Sequence, residues 1–262
     1  MSAPRLQINS LRIAFGSRVV SDVEHLHIGA GEIVGLAGES GSGKSITATA
    51  ILGLAHTVGA RVGGSIRLDG LELIGLGEAR LREVRGRRIA MIFQSPVGSF
   101  NPVFKVGEVF VRALRLHGAS KAEAIERARA ALEEVLLPHR LLDRYPHELS
   151  GGQAQRVAIA LALALRSEVL LADEPTSALD VTVQAEILDL LRRLREETGM
   201  SVLFISHDLA VIAELCDRVA VMKEGKVVEE GLATEVLSRP EHPYTQELVA
   251  AVPRVGSGLV GP

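Results

Sequence analysis

The sequence predicts an α/β fold in which antiparallel strands precede a largely parallel sheet. Residues 6–15 alternate apolar and polar side chains, and residues 19–28 do so less regularly, as strands with one buried face do. Later in the chain, short apolar runs alternate with helical segments, which is the pattern of a parallel sheet. Between residues 95 and 156 the strand signal stops and helical periodicity replaces it, so we expect an inserted α-helical subdomain there.

The individual elements follow in chain order. Strands are predicted at residues 6–15, 19–28, 32–37, 88–93, 169–172, 202–205, 217–222 and 226–230. Helices are predicted at about residues 43–54, 106–117, 121–136 and 181–197. Glu224-Gly225 separates the last two strands and is a hairpin signal. Residues 254–262 are rich in glycine and are expected to form a flexible tail.

Composition excludes several classes of protein. Of the 262 residues, 47% are hydrophobic, enough for a substantial core. The net charge of −3 gives no indication of a nucleic-acid partner, and none is expected. The single Cys216 excludes an intramolecular disulfide and fits a reducing compartment. The longest apolar run, residues 157–165, is far shorter than the ~20 residues of a membrane-spanning helix, and no secretory signal opens the chain.

A phosphate-binding motif joins the buried strand at 32–37 to the helix that follows it. Its pattern is G-x-x-x-x-G-K-[ST], the P-loop. The residues expected to bind ATP here are Gly38, Ser40, Gly41, Ser42, Gly43, Lys44 and Ser45. The glycines let successive backbone N–H groups face a polyphosphate, and the helix dipole adds to their effect. Lys44 would contact the β- and γ-phosphates and the Ser45 hydroxyl would bind Mg²⁺, so the core is predicted to be a RecA-like P-loop NTPase.

Two acids end the apolar run that begins at residue 169. Because ligands bind at the carboxyl ends of parallel strands, Asp173 is expected near Mg²⁺, through water. Glu174 is the candidate base that orients or deprotonates the attacking water. By itself this pair would better fit the capped start of a helix, and the P-loop is what favours the catalytic interpretation.

Two further strands end in polar side chains at the same predicted edge. His207 follows the strand at 202–205 and is a candidate sensor of the γ-phosphate. Gln94 follows the strand at 88–93 and could coordinate Mg²⁺ or hold the water. Three strand ends are therefore expected to converge on one site.

A helix start at residues 149–153 completes the pattern. Ser150 is a good N-cap, and the glycines after it would let backbone amides approach an anion. The expected nucleotide-binding residues here are Ser150, Gly151, Gly152 and Gln153. With the P-loop, Gln94, the acidic pair, residues 177–180 and His207 in this order, the chain resembles the ATP-binding cassette (ABC) family over almost its full length.

That resemblance implies a dimer. In the family, the segment equivalent to 149–153 closes over ATP held by a second subunit, so two chains enclose two nucleotides. By position, Phe15 would stack on adenine, although a core aromatic is the alternative. Asp180 would lie in the loop that links the two sites.

The resemblance also implies a division of the chain. Residues 1–253 would form a single nucleotide-binding domain. Its core would comprise about 1–94 and 157–235, its helical subdomain about 95–156 and its C-terminal family tail 236–253. The loop after Gln94 would report the nucleotide state to a membrane partner.

Secondary motifs are similar to those of the peptide and nickel import group. They are Gln94-Ser95-Pro96, Ser99-Phe100-Asn101-Pro102 and the tail segment Glu241-His242-Pro243-Tyr244-Thr245-Gln246-Glu247-Leu248. Some members carry a cysteine cluster beyond that tail, which this sequence lacks, so the choice between di- or oligopeptides and nickel or metal chelates stays open. The implied partners are membrane-spanning permeases, a second ABC ATPase subunit and, indirectly, a solute-binding protein, at the cytoplasmic side of the cell membrane.

Two other functions fit the same chemistry. A soluble ABC ATPase of a multienzyme complex, such as the carbon–phosphorus lyase machinery, shares the His-Pro-Tyr-Thr tail, and residues 99–102 favour transport over it. DNA-repair and structural-maintenance ABC proteins interrupt the cassette with coiled coils or zinc modules, and this sequence has neither heptads nor cysteine ligands.

Overall fold

A computed structural model describes residues 4–177 and 180–251, except for the side chains at positions 96 and 97. The backbone forms two β-sheets, one of four strands and one of six, with helices between and around them. Within the described residues, none of the helices combines the length and the apolar character needed to cross a membrane. The predicted α/β class with an antiparallel portion is confirmed.

The four-stranded sheet is antiparallel and has the order β2-β1-β4-β5. Its strands are β1 (Leu6–Phe15), β2 (Arg18–Ile28), β4 (Arg61–Leu68) and β5 (Leu71–Glu72). The sequence predicted the first two and missed the others. Gly63-Gly64 interrupts the alternation of β4, and an added Cβ at Gly64 would lie 2.2 Å from the Ser10 carbonyl oxygen. The two strands are in contact there, at a register shift in β1. Hydrophobic periodicity gives no sign of such a contact, so β4 was not predicted.

The six-stranded sheet has the order β10-β9-β3-β8-β7-β6 and is parallel except for β10. The bounds are β3 (Ile33–Ala37), β6 (Ile89–Ile92), β7 (Val169–Asp173), β8 (Ser201–Ser206), β9 (Arg218–Lys223) and β10 (Lys226–Leu232). These strands lie within about two residues of their predicted positions, and the hairpin at Glu224-Gly225 is confirmed.

Ten helices of the described ranges connect these strands. They are α1 (Lys44–Ile51), α2 (Glu78–Val84), α3 (Pro96–Ser99), α4 (Val106–Leu116), α5 (Lys121–Glu134), α6 (Gly151–Leu165), α7 (Val181–Thr198), α8 (Leu209–Leu215), α9 (Ala233–Ser238) and α10 (Pro243–Ala251). Short 3₁₀ turns lie at Ala55–Val58, His139–Asp143 and Pro146–Glu148. Helix α1 ends three residues before its predicted limit, because Gly53, in the left-handed region at φ 64°, turns the chain back.

The six-stranded sheet is buried on both faces. In β8, Val202 and Phe204 pack in the core beneath the helices, whereas Leu203 and Ile205 pack in the core shared with the four-stranded sheet and α1. This explains why the strands read as continuous apolar runs. It also leaves the strand ends as the place where polar residues of this sheet can meet.

A buried hydrogen bond ties α1 to the antiparallel sheet. The hydroxyls of Ser21 on β2 and Thr47 on α1 are 2.8 Å apart, and both side chains are fully buried. The Thr47 hydroxyl also donates to the Gly43 carbonyl oxygen at 2.8 Å. The P-loop is therefore anchored to β2 through the first turn of α1.

We expect Thr47→Val to lower the free energy of unfolding by about 1–3 kcal/mol, because it leaves the buried Ser21 hydroxyl without that partner. Thr49→Val in the same helix is the matched control. Thr49 is partly exposed, and its hydroxyl donates to the Ser45 carbonyl oxygen of its own helix at 2.7 Å, so a smaller loss is expected. Urea denaturation of both variants measures the difference, and equal losses would contradict the role given to the Ser21–Thr47 bond.

Candidate nucleotide-binding site

The P-loop lies between β3 and α1, as the motif requires. Gly38 and Gly43 have φ values of 145° and 102°, which side-chain-bearing residues rarely adopt. An added Cβ at Gly38 would lie 2.2 Å from the Met222 carbonyl oxygen, and one at Gly43 would lie 2.6 Å from the Val20 carbonyl oxygen. The loop is thus packed between β9 and β2, and glycine is required at both positions.

The Lys44 side chain is held by hydrogen bonds within the P-loop. Its Nζ donates to the carbonyl oxygens of Gly38 and Glu39, both at 2.7 Å, and to the Ser42 hydroxyl at 3.2 Å. The side chain is nearly buried, and this burial lowers the Lys44 pKa, although nearby carboxylates oppose the shift. A cation in this position, with few water contacts, suits a polyphosphate anion.

Ser45 and Asp173 meet across the gap between α1 and β7. The Ser45 hydroxyl donates to Asp173 Oδ1 at 3.1 Å. Asp173 is buried, and that burial raises the pKa of its carboxyl. A hydroxyl and a carboxylate are hard oxygen ligands of the kind that Mg²⁺ binds, usually while keeping several waters. The donor set therefore fits Mg²⁺.

Glu174 and His207 form a pair beside the strand ends. His207 Nδ1 lies 2.7 Å from Glu174 Oε1; the Glu174 side chain is 12% exposed and the His207 ring 61% exposed. Glu174 has φ 49°, an uncommon conformation for a glutamate, and its N–H donates to the Ile205 carbonyl at 2.9 Å. This bond extends the β7–β8 ladder by one residue and fixes the backbone position from which the Glu174 side chain projects.

The sheet order brings the predicted strand ends to one edge. Strands β3, β8, β7 and β6 are adjacent and parallel, so the P-loop, His207, Asp173 and Gln94 follow neighbouring carboxyl ends in that order. Gln94 lies two residues beyond β6, the outermost strand, and its side chain is exposed. Among the four, Gln94 is thus the farthest in strand order from the P-loop.

Ser150 caps α6 within its own chain. Its hydroxyl accepts from the Gln153 N–H at 3.2 Å, and its N–H donates to Gln153 Oε1 at 3.1 Å. Ser150 and Gly151 are exposed. In the described part of the chain, the side-chain hydrogen bonds of Ser150 and Gln153 join these two residues to each other and not to the P-loop.

Two further predicted residues, Phe15 and Asp180, are exposed. Phe15 ends β1 and is 37% exposed. It lies at the hairpin between β1 and β2, and β2 carries the Val20 carbonyl that packs against Gly43. Asp180 is exposed and caps α7 by accepting from the Val183 N–H at 3.0 Å. Within the 177–180 motif, Ala178 and Leu179 lie outside the described residues, as do residues 252–262 with the predicted flexible tail.

One contact with the P-loop was missed by sequence reasoning. The Tyr244 hydroxyl accepts from the Glu39 N–H at 3.1 Å, although the residues are 205 positions apart. Tyr244 belongs to the tail motif that pointed only to a subgroup of the family. No periodicity or spacing signal could have placed it here.

Three features lie at one edge of the parallel sheet: a glycine-rich loop around a buried lysine, a hydroxyl–carboxylate pair and a glutamate–histidine pair. Together they define a P-loop ATPase. The family model for ABC transporters matches residues 22–177, and the chain belongs to the ABC transporter family as an ATP-binding subunit.

Curated relatives extend the match to nearly the whole chain. A Brucella abortus protein assigned to peptide import as its ATP-binding protein is 46% identical, over 98% of this chain and 80% of its own length. The glutathione import ATP-binding protein GsiA of Salmonella typhimurium is 48% identical, over 96% of this chain and 42% of its own length.

Solved cassettes share the fold. The ATP-binding cassette MJ0796, in a dimeric post-hydrolysis state bound to ADP and Pi, is 32% identical with a TM-score of 0.77, covering 87% of this chain and 98% of that one. CbiO1 from Clostridium perfringens, part of the ABC transporter complex cbiONQ, is 28% identical with a TM-score of 0.78, covering 91% of this chain and 92% of that one. The predicted P-loop NTPase fold is confirmed.

We expect Asp173→Asn to stabilise the nucleotide-free protein in EDTA at neutral pH. Because burial raises the Asp173 pKa, the protonated form favours folding at low pH, and that contribution is lost as pH rises through the raised value. The stability gain of the amide should therefore grow with pH across the acidic range and then level off. Thermal melts of both proteins at a series of pH values test this, and a gain independent of pH would contradict it.

Proposed function

We propose that this chain binds and hydrolyses ATP to drive an importer of peptides or peptide-like solutes, with nickel or metal chelates as the alternative cargo. The proposal of ATP hydrolysis depends on one observation: Lys44, the Ser45–Asp173 pair and the Glu174–His207 pair lie at one edge of the sheet. The identities of 46% and 48% with peptide and glutathione import ATP-binding proteins support the importer half.

Each residue of the cluster has a distinct task in this proposal. Lys44 and the backbone N–H groups of the P-loop, other than that of Glu39, bind the triphosphate. Ser45 and Asp173 hold Mg²⁺, with Gln94 as a further ligand or water contact. When bound, Mg²⁺ neutralises charge on the phosphate oxygens.

Glu174 is the proposed base. Its carboxylate accepts the proton of the attacking water while that oxygen bonds to the γ-phosphorus and the bond to the bridging oxygen of ADP breaks. His207 holds the Glu174 carboxylate through the 2.7 Å contact. Because His207 is largely exposed, it can also reach the γ-phosphate and report its presence.

A second ABC subunit completes the site in this proposal. Ser150, Gly151, Gly152 and Gln153 would close over the nucleotide of the partner subunit, with Asp180 linking the two sites and Phe15 stacking on adenine. Two observations on the described residues support this: Ser150 is exposed, and its side-chain hydrogen bond is to Gln153 and not to its own P-loop. The similar cassette MJ0796 is dimeric.

We propose that the permeases dock at a cleft beside Gln94. This cavity of about 280 Å³ is lined by three phenylalanines, Phe93, Phe100 and Phe104, together with other residues that include Ser99 and Asn101. Phe93 is 39% exposed, so the cleft offers apolar surface next to a residue of the nucleotide site. Docking there would hold the chain at the cytoplasmic side of the cell membrane, and a solute-binding protein would deliver cargo to the permeases.

We also retain the division of the chain into a core of about 1–94 and 157–235, a helical subdomain of about 95–156 and a tail of 236–253, in one domain of 1–253. Helices α3, α4 and α5 lie within the proposed insertion, which supports it. The first residues of α6 lie in the insertion and the rest in the core segment.

We expect Glu174→Gln to bind ATP with nearly unchanged affinity and to hydrolyse it at least about 100-fold more slowly, because only the base is lost. The variant should accumulate as a closed dimer in ATP, measured by light scattering. Lys44→Ala is the contrasting variant, since it should lose ATP binding itself. Normal turnover by Glu174→Gln would contradict the role of the carboxylate, and tight ATP binding by Lys44→Ala would contradict the role of the lysine.

The transport assignment is tested by affinity purification of the tagged chain from detergent-solubilised native membranes, with partners identified by mass spectrometry. We expect two multi-span permeases, with lower recovery by Phe93→Ser in the cleft. Val58→Ser, at an exposed valine that does not line the cleft, is the matched control. Recovery of soluble enzymes alone would replace the importer with the multienzyme alternative.

A further inference from the structure

Helix α10, the last helix of the described residues, contacts the P-loop through the side chain of Tyr244. The Tyr244 hydroxyl accepts from the Glu39 N–H at 3.1 Å, and the residue is only 3% exposed. Burial raises the pKa of Tyr244, so the hydroxyl stays protonated at neutral pH. The contact is thus a neutral hydrogen bond between the tail and the entrance of the phosphate cradle.

This bond acts on the peptide group that also holds Lys44. The Glu39 N–H and the Gly38 carbonyl belong to one planar peptide unit, so fixing the N–H fixes the direction of the carbonyl. That carbonyl oxygen accepts from Lys44 Nζ at 2.7 Å. Tyr244 and Lys44 therefore hold opposite sides of the same peptide group.

The tyrosine is itself held from several sides. Lys223 Nζ lies 4.6 Å from the centre of the Tyr244 ring, at the end of β9 next to the Met222 carbonyl that packs on Gly38. The Glu229 carboxylate of β10 accepts from the N–H groups of Glu241 and His242 at 2.8 and 3.1 Å. These contacts fix the start of α10, so the position of the hydroxyl is set by β9 and β10.

We propose that Tyr244 is a positioning residue for the ATPase reaction, which orients the Gly38–Glu39 peptide and through it the Lys44 ammonium. The bond that it makes lies outside the expected contacts of the nucleotide, so Tyr244 acts without touching ATP. The C-terminal segment is then a working part of the nucleotide site. The proposal rests on the ATPase activity and is independent of the transported cargo.

Tyr244→Phe tests this with the ring and its packing kept and only the hydroxyl removed. We expect kcat/KM for ATP to fall about fivefold or more, and the affinity for ATP to fall further than that for ADP, because Lys44 serves the γ-phosphate that ADP lacks. Tyr145→Phe, at the only other tyrosine of the chain, is the matched control and should leave these values unchanged. Tyr145 is 36% exposed and its ring stacks on His147.

A merely structural anchor would give a different result. Tyr244→Phe would then lower the melting temperature, with kcat/KM and the ATP-to-ADP affinity ratio unchanged per folded molecule, and that outcome would overturn the proposal. Equal losses of ATP and ADP affinity would also overturn it, since a displaced Lys44 ammonium should weaken the contact with the γ-phosphate that only ATP carries.

A second measurement covers the case in which Tyr244→Phe does not fold. The chain has no tryptophan and two tyrosines, so Tyr145→Phe leaves Tyr244 as the sole tyrosine reporter. Magnesium tripolyphosphate, which lacks the ultraviolet absorbance of adenine, should change the Tyr244 fluorescence, and this change should vanish when Lys44→Ala is added. An unchanged spectrum at saturating tripolyphosphate would overturn the link between the hydroxyl and the cradle.

Discussion

The central constraint in this structure is the burial of one cation. Lys44 is removed from water, and a buried ammonium is costly unless polar groups surround it. Two backbone carbonyls and a hydroxyl supply that environment, and the carboxylates of Asp173 and Glu174 lie close enough to favour the charge. The loop can curl around the ammonium only because Gly38 and Gly43 adopt positive φ values. Sheet order, loop conformation and the acidic strand ends all serve this one arrangement.

The same burial disfavours the charged forms of two residues of the site. Burial lowers the pKa of Lys44 and raises the pKa of Asp173, so both charged forms are disfavoured where they stand. A bound polyphosphate with its cation would supply a counter-charge to each. Binding should therefore stabilise the fold as well as fill the site, since a ligand that prefers the native state shifts the unfolding equilibrium.

Sequence reasoning succeeded where local pattern and chemistry coincide. The apolar runs of β3, β7 and β8 predicted a doubly covered sheet, and the rule that ligands bind at carboxyl ends placed Lys44, Asp173 and His207 at one edge. It failed where long-range contacts decide. The strand β4 depends on the close approach of Gly64 to Ser10, and the left-handed backbone of Glu174 depends on its bond to Ile205 of the neighbouring strand. Neither contact leaves a periodic signal, and the Tyr244–Glu39 bond leaves none either.

The residues proposed to act on the nucleotide fall into a buried group and an exposed group. Lys44 and Asp173 are buried and are fixed by contacts within one chain, whereas Ser150, Asp180 and the His207 ring face solvent. Interactions with phosphate are stronger where water is excluded, so in the proposed function the exposed groups would bind phosphate strongly only when another surface covers them. A second subunit that covered them would bring the γ-phosphate into contact with both chains. Loss of that phosphate would remove a contact shared by both, and in the proposed dimer hydrolysis would thereby open the interface.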